Sequence, residues 1–390
     1  MQAVAGPQSL LRRAPVPGIN GAMHKTGAAM RGSGLGSVLF AAAAALVFAT
    51  ACSPSGQNAS APPSAPPILF QWEDYVDPPF LADYQKTHNE KPQTAIYADE
   101  DEGFAKMRAG YKPDVMGPCY YEFPRWQEAG LLQPIDTSKL KNWSKLPEGL
   151  RNLPGTSAGD RKVWFVPHYW GNTSITYRTD LAPEYVGHES WDILFDPKYK
   201  GRVAVLEGVD DTIPFIAHMI GVDPYNMSDA DWQRVQAKLK QLVGQVRFVS
   251  SDDTSLAQGL ASGELVAAMS WRVIYATLKS EGKPVAYMNP PGGMFTYVCG
   301  LVMHKEAKDY DKALALIDSS LSDEAAHYTI DHIGDGPANV QALEKEPDAE
   351  FEKIGIPRDV ENFLKTGTFQ QRLKDKEKIV NAWTEIRAGL

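Results

Sequence analysis

Short apolar runs alternate with helix-like patterns along most of the chain. ILFQW (68–72) and GELVAAMSW (263–271) predict strands, because each is a short run rich in apolar residues. SDADWQRVQAKLKQLV (228–243) predicts an amphipathic helix with Ser228 as its N-cap. KVWFVPHYWGNTSITYR (162–178) predicts a pair of strands. Strands separated by helices indicate an α/β fold with largely parallel sheets.

The length of the stretch 68–390 predicts two lobes. Single hydrophobic cores stop growing at about 250–300 residues, and this stretch is longer. With 43% apolar and 22% charged residues, the composition is that of an ordinary globular protein.

Residues 1–51 predict a secretory leader. A basic residue precedes an apolar stretch over 38–49, which ends in small residues before Cys52. This stretch is shorter than the roughly 20 residues that a membrane span needs. Ala51-Cys52 resembles the lipobox of bacterial lipoproteins, in which the cysteine is acylated. The Pro/Ser/Ala-rich segment 52–67 then predicts a lipidated flexible tether, with simple secretion as the alternative.

The chain is acidic, with a formal net charge of −9. An acidic body disfavours nucleic acid and anionic membranes as partners and mildly favours cationic ones, although solubility alone also accounts for such a charge. We find no His-Glu-x-x-His motif and no phosphate loop, so no metalloprotease or nucleotide site is indicated. We expect neither a cofactor nor a bound metal.

Aromatic residues recur where predicted strands end. WEDY (72–75) follows the first strand, GPCYY (117–121) follows the third, and SWRVIY (270–275) ends a later one. Open α/β sheets bind ligands at the carboxyl ends of their strands. A single aromatic residue there is readily explained as a core filler, but three clusters favour a ligand site.

Several segments occur in an order that resembles a known family. They are QWEDYVDPPFLADYQK, PDVMGPCYYEFPRWQEAGLLQPID, VPHYWGNTSITY, SWDILFDPKYKGRVAVL, GELVAAMSW, PPGGMF and HIGDGPAN. The series resembles the periplasmic spermidine/putrescine-binding proteins of bacterial polyamine ABC importers. The resemblance covers essentially all of 68–390.

This resemblance implies a two-lobed periplasmic binding protein-like fold of type II, with the ligand cleft between the lobes. Lobe 1 is expected to comprise 68–170 and 297–338. Lobe 2 is expected to comprise 173–292 and 339–390, including the C-terminal helices. The implied protein is a periplasmic monomer that delivers its solute to the permease subunits of an ABC transporter and meets the membrane only through its lipid anchor.

The resemblance also carries the family's ligand-binding positions onto this sequence. They are aromatic, acidic or polar residues at strand ends, crossovers and one late loop. The matching residues are Trp72, Glu73, Asp74, Tyr75, Cys119, Tyr121, Asp211, Trp271, Tyr297, Cys299, Asp335 and Gln370. The chain departs from the family at Gly208 and Cys299, where two carboxylates are missing.

The retained residues suit a diamine, which consists of two cations joined by an apolar chain. Asp74, Asp211 and Asp335 offer charge-assisted hydrogen bonds, and the aromatic faces offer cation–π contacts. A role in local structure also accounts for two of these acids. Asp211 is placed to cap a helix beginning DTIPF, and Asp335 is placed as a turn residue in GDGP.

Arg272, beside Trp271, leaves a second ligand class open. If Arg272 faces the cleft, its guanidinium can pair with the carboxylate of a ligand. An amino-acid-like amine such as γ-aminobutyrate would require this partner. The alternative is an arginine that faces outward at the rim of the sheet. Three more distant alternatives remain: a ferric-ion carrier using Tyr120 and Tyr121, a secreted enzyme using Cys119 with His168, and a sensory protein on the same scaffold.

Cys119 and Cys299 are the two cysteines that follow Cys52. In an exported chain, two thiols permit one disulfide. The resemblance places the third strand of lobe 1, which Cys119 ends, beside the strand that returns from lobe 2, which Cys299 begins. It therefore implies a possible disulfide between them.

We expect Cys52 to be the acylated N-terminus of the mature protein. Mass spectrometry of protein extracted from membranes should find a diacyl or triacyl Cys52 and nothing upstream of it. Protein recovered in soluble form, with an unmodified N-terminus elsewhere in 50–60, contradicts the lipid and leaves simple secretion.

Overall fold

A computed structural model gives the architecture of most of the chain. It describes residues 65–250, 252–290, 293–349, 351 and 355–388. The predicted leader, Cys52 and nearly all of the tether lie outside the described residues, so these three assignments stay predictions.

Strands and helices alternate as expected for an α/β fold. The strands are β1 (Ile68–Gln71), β2 (Gln93–Ile96), β3 (Val115–Met116), β4 (Leu132–Gln133), β5 (Ile135–Asp136), β6 (Ser157–Gly159), β7 (Lys162–Val163), β8 (Val166–Arg178), β9 (Val203–Val205), β10 (Phe248–Val249), β11 (Ala267–Trp271), β12 (Val285–Tyr287), β13 (Phe295–His304), β14 (Gly336–Pro337) and β15 (Thr368–Phe369). The α-helices are α1 (Pro78–His88), α2 (Glu100–Arg108), α3 (Phe123–Glu128), α4 (Glu148–Arg151), α5 (Val209–Met219), α6 (Asp229–Val243), α7 (Asp253–Ser262), α8 (Arg272–Ser280), α9 (Tyr310–Ser320), α10 (Asp323–Tyr328), α11 (Val360–Thr366) and α12 (Lys376–Arg387).

Most of the strands form one large mixed sheet. Its main order is β10-β9-β11-β8-β13-β3-β1-β2, and β5, β6 and β7 form a small separate sheet. At one end β1 pairs parallel with β2 and β3, and at the other β9 pairs parallel with β10 and β11. In the middle, β8 and β13 pair antiparallel with each other. The predicted parallel pairing is therefore wrong for the centre, because the chain crosses it twice in opposite directions.

The segment 162–178 does not form the predicted pair of strands. β8 is a single strand of 13 residues, of which all but the last are buried. The preceding β7 pairs instead with β5 and β6. The cluster GNTS (171–174) inside β8 has the composition of a loop, but all four residues are buried within the strand, where they pair with β13 and β11.

Two clusters of buried apolar side chains support the two-lobed fold. The first includes Phe70, Trp126 and Val302, and the second includes Ile213 and Leu239. β8 contributes to both, because Trp170 lies in the first cluster and Ile175 in the second. The long central strand thus runs from one core to the other.

The C-terminal stretch 339–390 is divided between the two cores. Ile356 and Leu364 pack into the first cluster, whereas Ile379 and Trp383 pack into the second. The lobe 2 expected from sequence includes this whole stretch. Its helices are amphipathic, and amphipathicity alone does not specify which core an apolar face covers. The remaining lobe boundaries stay a prediction.

Helix α6 forms as its sequence predicts. The hydroxyl of Ser228 accepts the N–H of Asp231 at 3.2 Å, and the Asp231 carboxylate accepts the N–H of Ser228 at 3.1 Å. This reciprocal capping confirms the predicted N-cap. At 15 residues, α6 is the longest helix of the described chain, and none of the described helices has the length and apolarity to cross a bilayer.

A disulfide joins Cys119 and Cys299 across the centre of the sheet, with their Cα atoms 3.7 Å apart. Backbone hydrogen bonds flank it, from Tyr120 N–H to the Val298 carbonyl at 2.7 Å and from Gly300 N–H to the Pro118 carbonyl at 3.0 Å. The bond links residues separated by 180 positions, beside the antiparallel pairing of β13 with β3. Its presence in the mature protein stays a prediction.

For protein that begins after Cys52, we expect no titratable thiol in denaturant without reductant, and two thiols after reduction. Reduction should lower the free energy of unfolding by about 2–5 kcal/mol, because the unfolded chain gains freedom. Thiol titration and denaturant unfolding measure the two effects. A Cys119→Ser/Cys299→Ser double variant is the control, since reductant should not change its stability. Two free thiols before reduction contradict the bond.

Candidate ligand-binding site

The residues predicted to bind ligand lie around one cavity of about 330 Å³. Its lining comprises Trp72, Asp74, Tyr75, Cys119, Tyr121, Tyr169, Asp211, Asp253, Trp271, Val273, Tyr297, Cys299, Ile333, Asp335 and Gln370. Of the predicted set, Glu73 does not line the cavity, and its side chain is exposed. The structure thus brings the other predicted residues together, while their role in binding stays a prediction.

The cavity lies where strands of both halves of the sheet end. Trp72 follows β1, Cys119 lies shortly after β3, and Trp271 is the last residue of β11. Asp211 belongs to the first turn of α5, which follows β9. Within each half of the sheet, parallel strands bring their carboxyl ends to the same edge. The two halves run in opposite directions, because three antiparallel pairings separate β3 from β11, so the carboxyl ends of one half face those of the other.

A larger hollow of about 680 Å³ lies elsewhere, along α1 and α9. Its lining is mainly charged and polar, and Lys139 and Asp311 there already pair with each other at 2.9 Å. It has one aromatic side chain, Tyr84, among its lining residues. The smaller cavity combines several aromatic faces with several carboxylates and is therefore the better candidate site.

Asp335 is a buried, hydrogen-bonded carboxylate with 9% of its surface exposed. It accepts the hydroxyl of Tyr75 at 2.8 Å and that of Tyr297 at 2.6 Å. Burial raises the pKa of Asp335 to about 6, although both hydrogen bonds oppose the rise. A role as a simple turn residue is therefore insufficient to account for Asp335.

Gly171 permits the contact between Tyr297 and Asp335. A Cβ atom at this position would lie 2.1 Å from the Tyr297 hydroxyl and 2.8 Å from Asp335 Oδ1. Any larger residue in the middle of β8 would displace both groups.

Asp211 is held by three donors. It accepts hydrogen bonds from the Thr173 hydroxyl at 2.6 Å, Gln370 Nε2 at 3.0 Å and Trp271 Nε1 at 3.4 Å. Burial raises the pKa of Asp211, and these hydrogen bonds oppose the rise. The N-cap of α5 is Gly208, so the interpretation of Asp211 as a helix cap is wrong.

Asp253 is a cavity residue that the sequence analysis missed. Burial, followed by the charges of Asp252, Asp335 and Asp74, raises the pKa of Asp253 to about 6. Its Oδ1 atom is buried and has no hydrogen-bond partner within the described part of the chain. It opens α7 just after β10, so the rule that ligands bind at strand ends would have found it.

Aromatic rings form much of the cavity wall. The rings of Tyr75 and Tyr169 stack with their centroids 3.7 Å apart and their planes 7° apart. Trp72 packs against the ring of Tyr97 at 4.8 Å, and Trp271 is half-buried beside Asp211. Tyr169 lies within the long strand β8, where no end or turn distinguishes it, so its role was not predictable from sequence.

Arg272 neither faces outward nor lines the cavity. It is 1% exposed, and its guanidinium donates to Asn172 Oδ1 at 2.8 Å and to the carbonyl of Gly355. The rings of Tyr287 and Phe363 lie 5.1 Å and 6.0 Å from its guanidinium carbon. The interpretation of Arg272 as the partner of a ligand carboxylate and its interpretation as an outward-facing arginine are therefore both wrong. Local sequence did not reveal its true position, because its hydrogen-bond partners come from distant segments.

The geometry disfavours the enzyme alternative. Cys119 is bonded to Cys299, and His168 is buried against Tyr75 and Phe80, where burial lowers its pKa to about 3. The pentapeptide GTSAG (155–159) has Gly-x-Ser-x-Gly spacing that the sequence analysis overlooked. It leads into the short strand β6 of a hairpin with β7, whereas a nucleophile elbow joins a strand to a helix.

The geometry likewise separates the two tyrosines of the ferric-ion alternative. Tyr121 lines the cavity, whereas the Tyr120 hydroxyl donates to the Pro154 carbonyl at 2.8 Å. In the described part of the chain, no three His, Cys, Asp or Glu side chains are arranged to hold a metal ion.

The cavity can hold a small, elongated cation. Asp74 and Asp335 lie close enough to Asp253 for their charges to raise its pKa, and Asp211 adds a fourth carboxylate to the lining. Tyr121, Trp271 and the Tyr75–Tyr169 stack supply aromatic surface. Carboxylates can replace the water around a cation, and aromatic faces can cover the apolar chain attached to it.

Two curated periplasmic proteins align with most of this chain. The spermidine/putrescine-binding periplasmic protein of Escherichia coli (strain K12) is 26% identical over 330 residues, which cover 82% of this chain and 91% of the relative. The putrescine-binding periplasmic protein PotF of the same organism is 25% identical over 340 residues, with the same coverage.

Solved structures share the fold. The spermidine/putrescine ABC transporter substrate-binding protein PotD from Streptococcus pneumoniae superposes with a TM-score of 0.69 at 19% identity, covering 84% of this chain and 98% of that one. This likeness supports the two-lobed architecture of a periplasmic binding protein.

The family model described as bacterial extracellular solute-binding protein matches residues 80–354. This match spans more than half of the chain and includes most of both hydrophobic cores and most of the cavity lining. The family consists of proteins that bind solutes and is not an enzyme family. This chain belongs to the family of bacterial extracellular solute-binding proteins.

Proposed function

We propose that this protein captures a polyamine, putrescine or spermidine, or a related small amine, and delivers it to the permease of an ABC importer. The observation that carries the proposal is the cavity, which combines four carboxylates with several aromatic faces. A cation that enters loses much of its hydration and gains charge-assisted hydrogen bonds and cation–π contacts in return.

The names of the relatives support this ligand class. Two relatives that match 82% of this chain are named for binding spermidine and putrescine, or putrescine. The acids of the cavity agree with those names, because burial raises the pKa of Asp211, Asp253 and Asp335, and a bound cation would offset the cost of their buried negative charge.

The proposed location is the periplasm. The predicted leader and the periplasmic relatives support export, and the predicted acylation of Cys52 would hold the protein beside its permease. A tether over 52–67 would let the protein reach the permease while it stays anchored.

An amino-acid-like ligand is less well supported than a polyamine. That alternative required Arg272 as the partner of a ligand carboxylate, and this guanidinium is buried against Asn172 and Gly355 outside the cavity.

Isothermal calorimetry with putrescine and spermidine tests the proposal. Trp271→Ala should weaken amine binding by about 30-fold or more, because a central aromatic residue at a binding interface contributes about 2 kcal/mol or more. Trp143→Ala is the matched control, since Trp143 is also partly buried but lies outside the cavity. No heat with any polyamine, together with clear binding of an amino acid, would contradict the proposed ligand.

Amine binding should weaken as the pH falls. Asp335 and Asp253 have pKa values of about 6, so each carboxyl takes up a proton between pH 7 and pH 5. An alkylamine, with a pKa near that of lysine at about 10.4, stays cationic over this interval. If the ligand needs both carboxylates charged, its Kd should rise about tenfold for each group.

Calorimetry of putrescine binding at pH 5, 6 and 7 measures this dependence. An Asp335→Asn/Asp253→Asn variant should bind weakly at pH 7 and change little with pH. The stability of the protein without ligand should depend on pH in the opposite direction, because a protonated carboxyl is easier to bury than a charged one. The contribution of Asp335 and Asp253 to the free energy of unfolding should therefore be larger at pH 5 than at pH 7. A pH-independent Kd in the unaltered protein would contradict the roles of both acids.

A further inference from the structure

A buried lysine lies beside the candidate cavity. The ammonium of Lys376, the first residue of α12, is 2.8 Å from Glu122 Oε1 and 2.7 Å from Asp210 Oδ2. The exposed fractions of the side chains are 16% for Lys376, 1% for Glu122 and 18% for Asp210. These groups are shielded from water, unlike most ion pairs of this chain.

Each of the two acids is the sequence neighbour of a cavity residue. Glu122 follows Tyr121, and Asp210 precedes Asp211. The Lys376 ammonium lies 5.9 Å from the centroid of the Tyr121 ring. The lysine therefore occupies the space immediately behind the cavity wall, at the end that Tyr121 covers.

Carboxyl groups outnumber the cations in this space. Glu100, which is 6% exposed, accepts the backbone N–H of Cys119 at 2.7 Å and adds a third carboxyl group. Burial raises the pKa of Glu100 well above its usual range and so favours its neutral form, which leaves Glu122 and Asp210 as the partners of the lysine. Among described residues, Glu100 Oε2 and Asp210 Oδ1 are buried and have no hydrogen-bond partner. Arg125 reaches Glu122 Oε2 at 3.5 Å but pairs more closely with Asp101. The carboxylates of Glu122 and Asp210 thus form a site with the character of a cation pocket, and Lys376 supplies its ammonium.

The lysine remains charged in this position. Burial would lower the pKa of Lys376, but the negative charges of Asp210 and Glu122 outweigh burial and raise it. The negative charges of Glu100, Asp210, Asp211 and Glu122 also raise the pKa of Tyr121, in addition to its burial. Tyr121 thus lies between the cavity and this second group of carboxylates.

We propose that Lys376 is a specificity-determining residue, whose ammonium fills the carboxylate site at the Tyr121 end and thereby ends the ligand cavity there. A longer polyamine that displaced the Tyr121 ring would bring its additional cation to the carboxylates that this ammonium holds. A short diamine is then preferred over a triamine, because the additional ammonium would be repelled and would find its carboxylates already occupied. This inference rests on the proposed function, since it concerns the length of the amine bound.

A purely structural role for the same ion pairs makes a different prediction. Glu122 precedes Phe123 of the first core, whereas Asp210 and Lys376 lie on helices that pack into the second core. If the lysine only joined the two cores, its loss would lower stability and weaken short and long amines by the same factor. A change in their ratio is the result that a structural role cannot give.

Calorimetry of the unaltered protein and three variants tests the proposal. The unaltered protein should bind putrescine at least about tenfold more tightly than spermidine. Lys376→Ala frees both the space and the carboxylates, and should shift the ratio of the two Kd values toward spermidine by about tenfold or more. Lys376→Met removes the charge but fills the space, and should shift it less. Lys378→Ala is the matched control, because Lys378 forms an exposed ion pair with Asp229 and should leave the ratio unchanged.

Thermal unfolding of each variant shows whether it is folded. A ratio that is the same in Lys376→Ala and the unaltered protein would overturn the proposal while leaving polyamine binding intact. Tighter binding of spermidine than putrescine by the unaltered protein would overturn it even if no variant folds. Failure of the unaltered protein to bind either amine would overturn the proposed function and this inference together.

Discussion

The antiparallel pairing of β8 with β13 is the interaction on which the rest of the structure depends. These two strands carry the chain between the two hydrophobic cores, and they position cavity residues from both sides. Tyr169 comes from β8, and Tyr297 and Cys299 come from β13. The pairing is continuous except for one irregularity between Cys299 and Gly300, where the register shifts. Because the site is built on the strands that join the two hydrophobic cores, its geometry depends on how those cores are arranged.

The position of the site was predictable because strand ends follow from local sequence. WEDY (72–75) follows a short apolar run, and the rule for open sheets placed it at a ligand edge before any contact was known. Residue roles that depend on long-range packing were not predictable. Arg272 follows Trp271 directly, yet its partners come from Asn172 and Gly355, which no local pattern identifies. The same reason accounts for the absent turn in β8, where the loop-like cluster GNTS (171–174) is buried by its pairing with β13 and β11.

Placing several carboxylates in and behind one small cavity has an energetic consequence. Burial raises the pKa of Asp335, Asp253 and Asp211, so the empty cavity holds acids that would be more stable with a proton or a cation. Hydrogen bonds from tyrosine, threonine and amide donors partly offset the cost of burying the Asp335 and Asp211 carboxylates. This partial compensation keeps the acids in fixed positions and leaves attraction available for a cation.

The two tyrosine hydroxyls on Asp335 limit what this carboxylate can still accept. A carboxylate has about four acceptor positions, and Tyr75 and Tyr297 each occupy one, on different oxygens. A primary ammonium brings three N–H donors, so Asp335 alone cannot saturate it. At least one donor must find an oxygen elsewhere, and the Oδ1 atom of Asp253 has no hydrogen-bond partner among the described residues. An ammonium beside Asp335 therefore needs a further acceptor, and Asp253, whose pKa is raised by the charge of Asp335, offers one nearby.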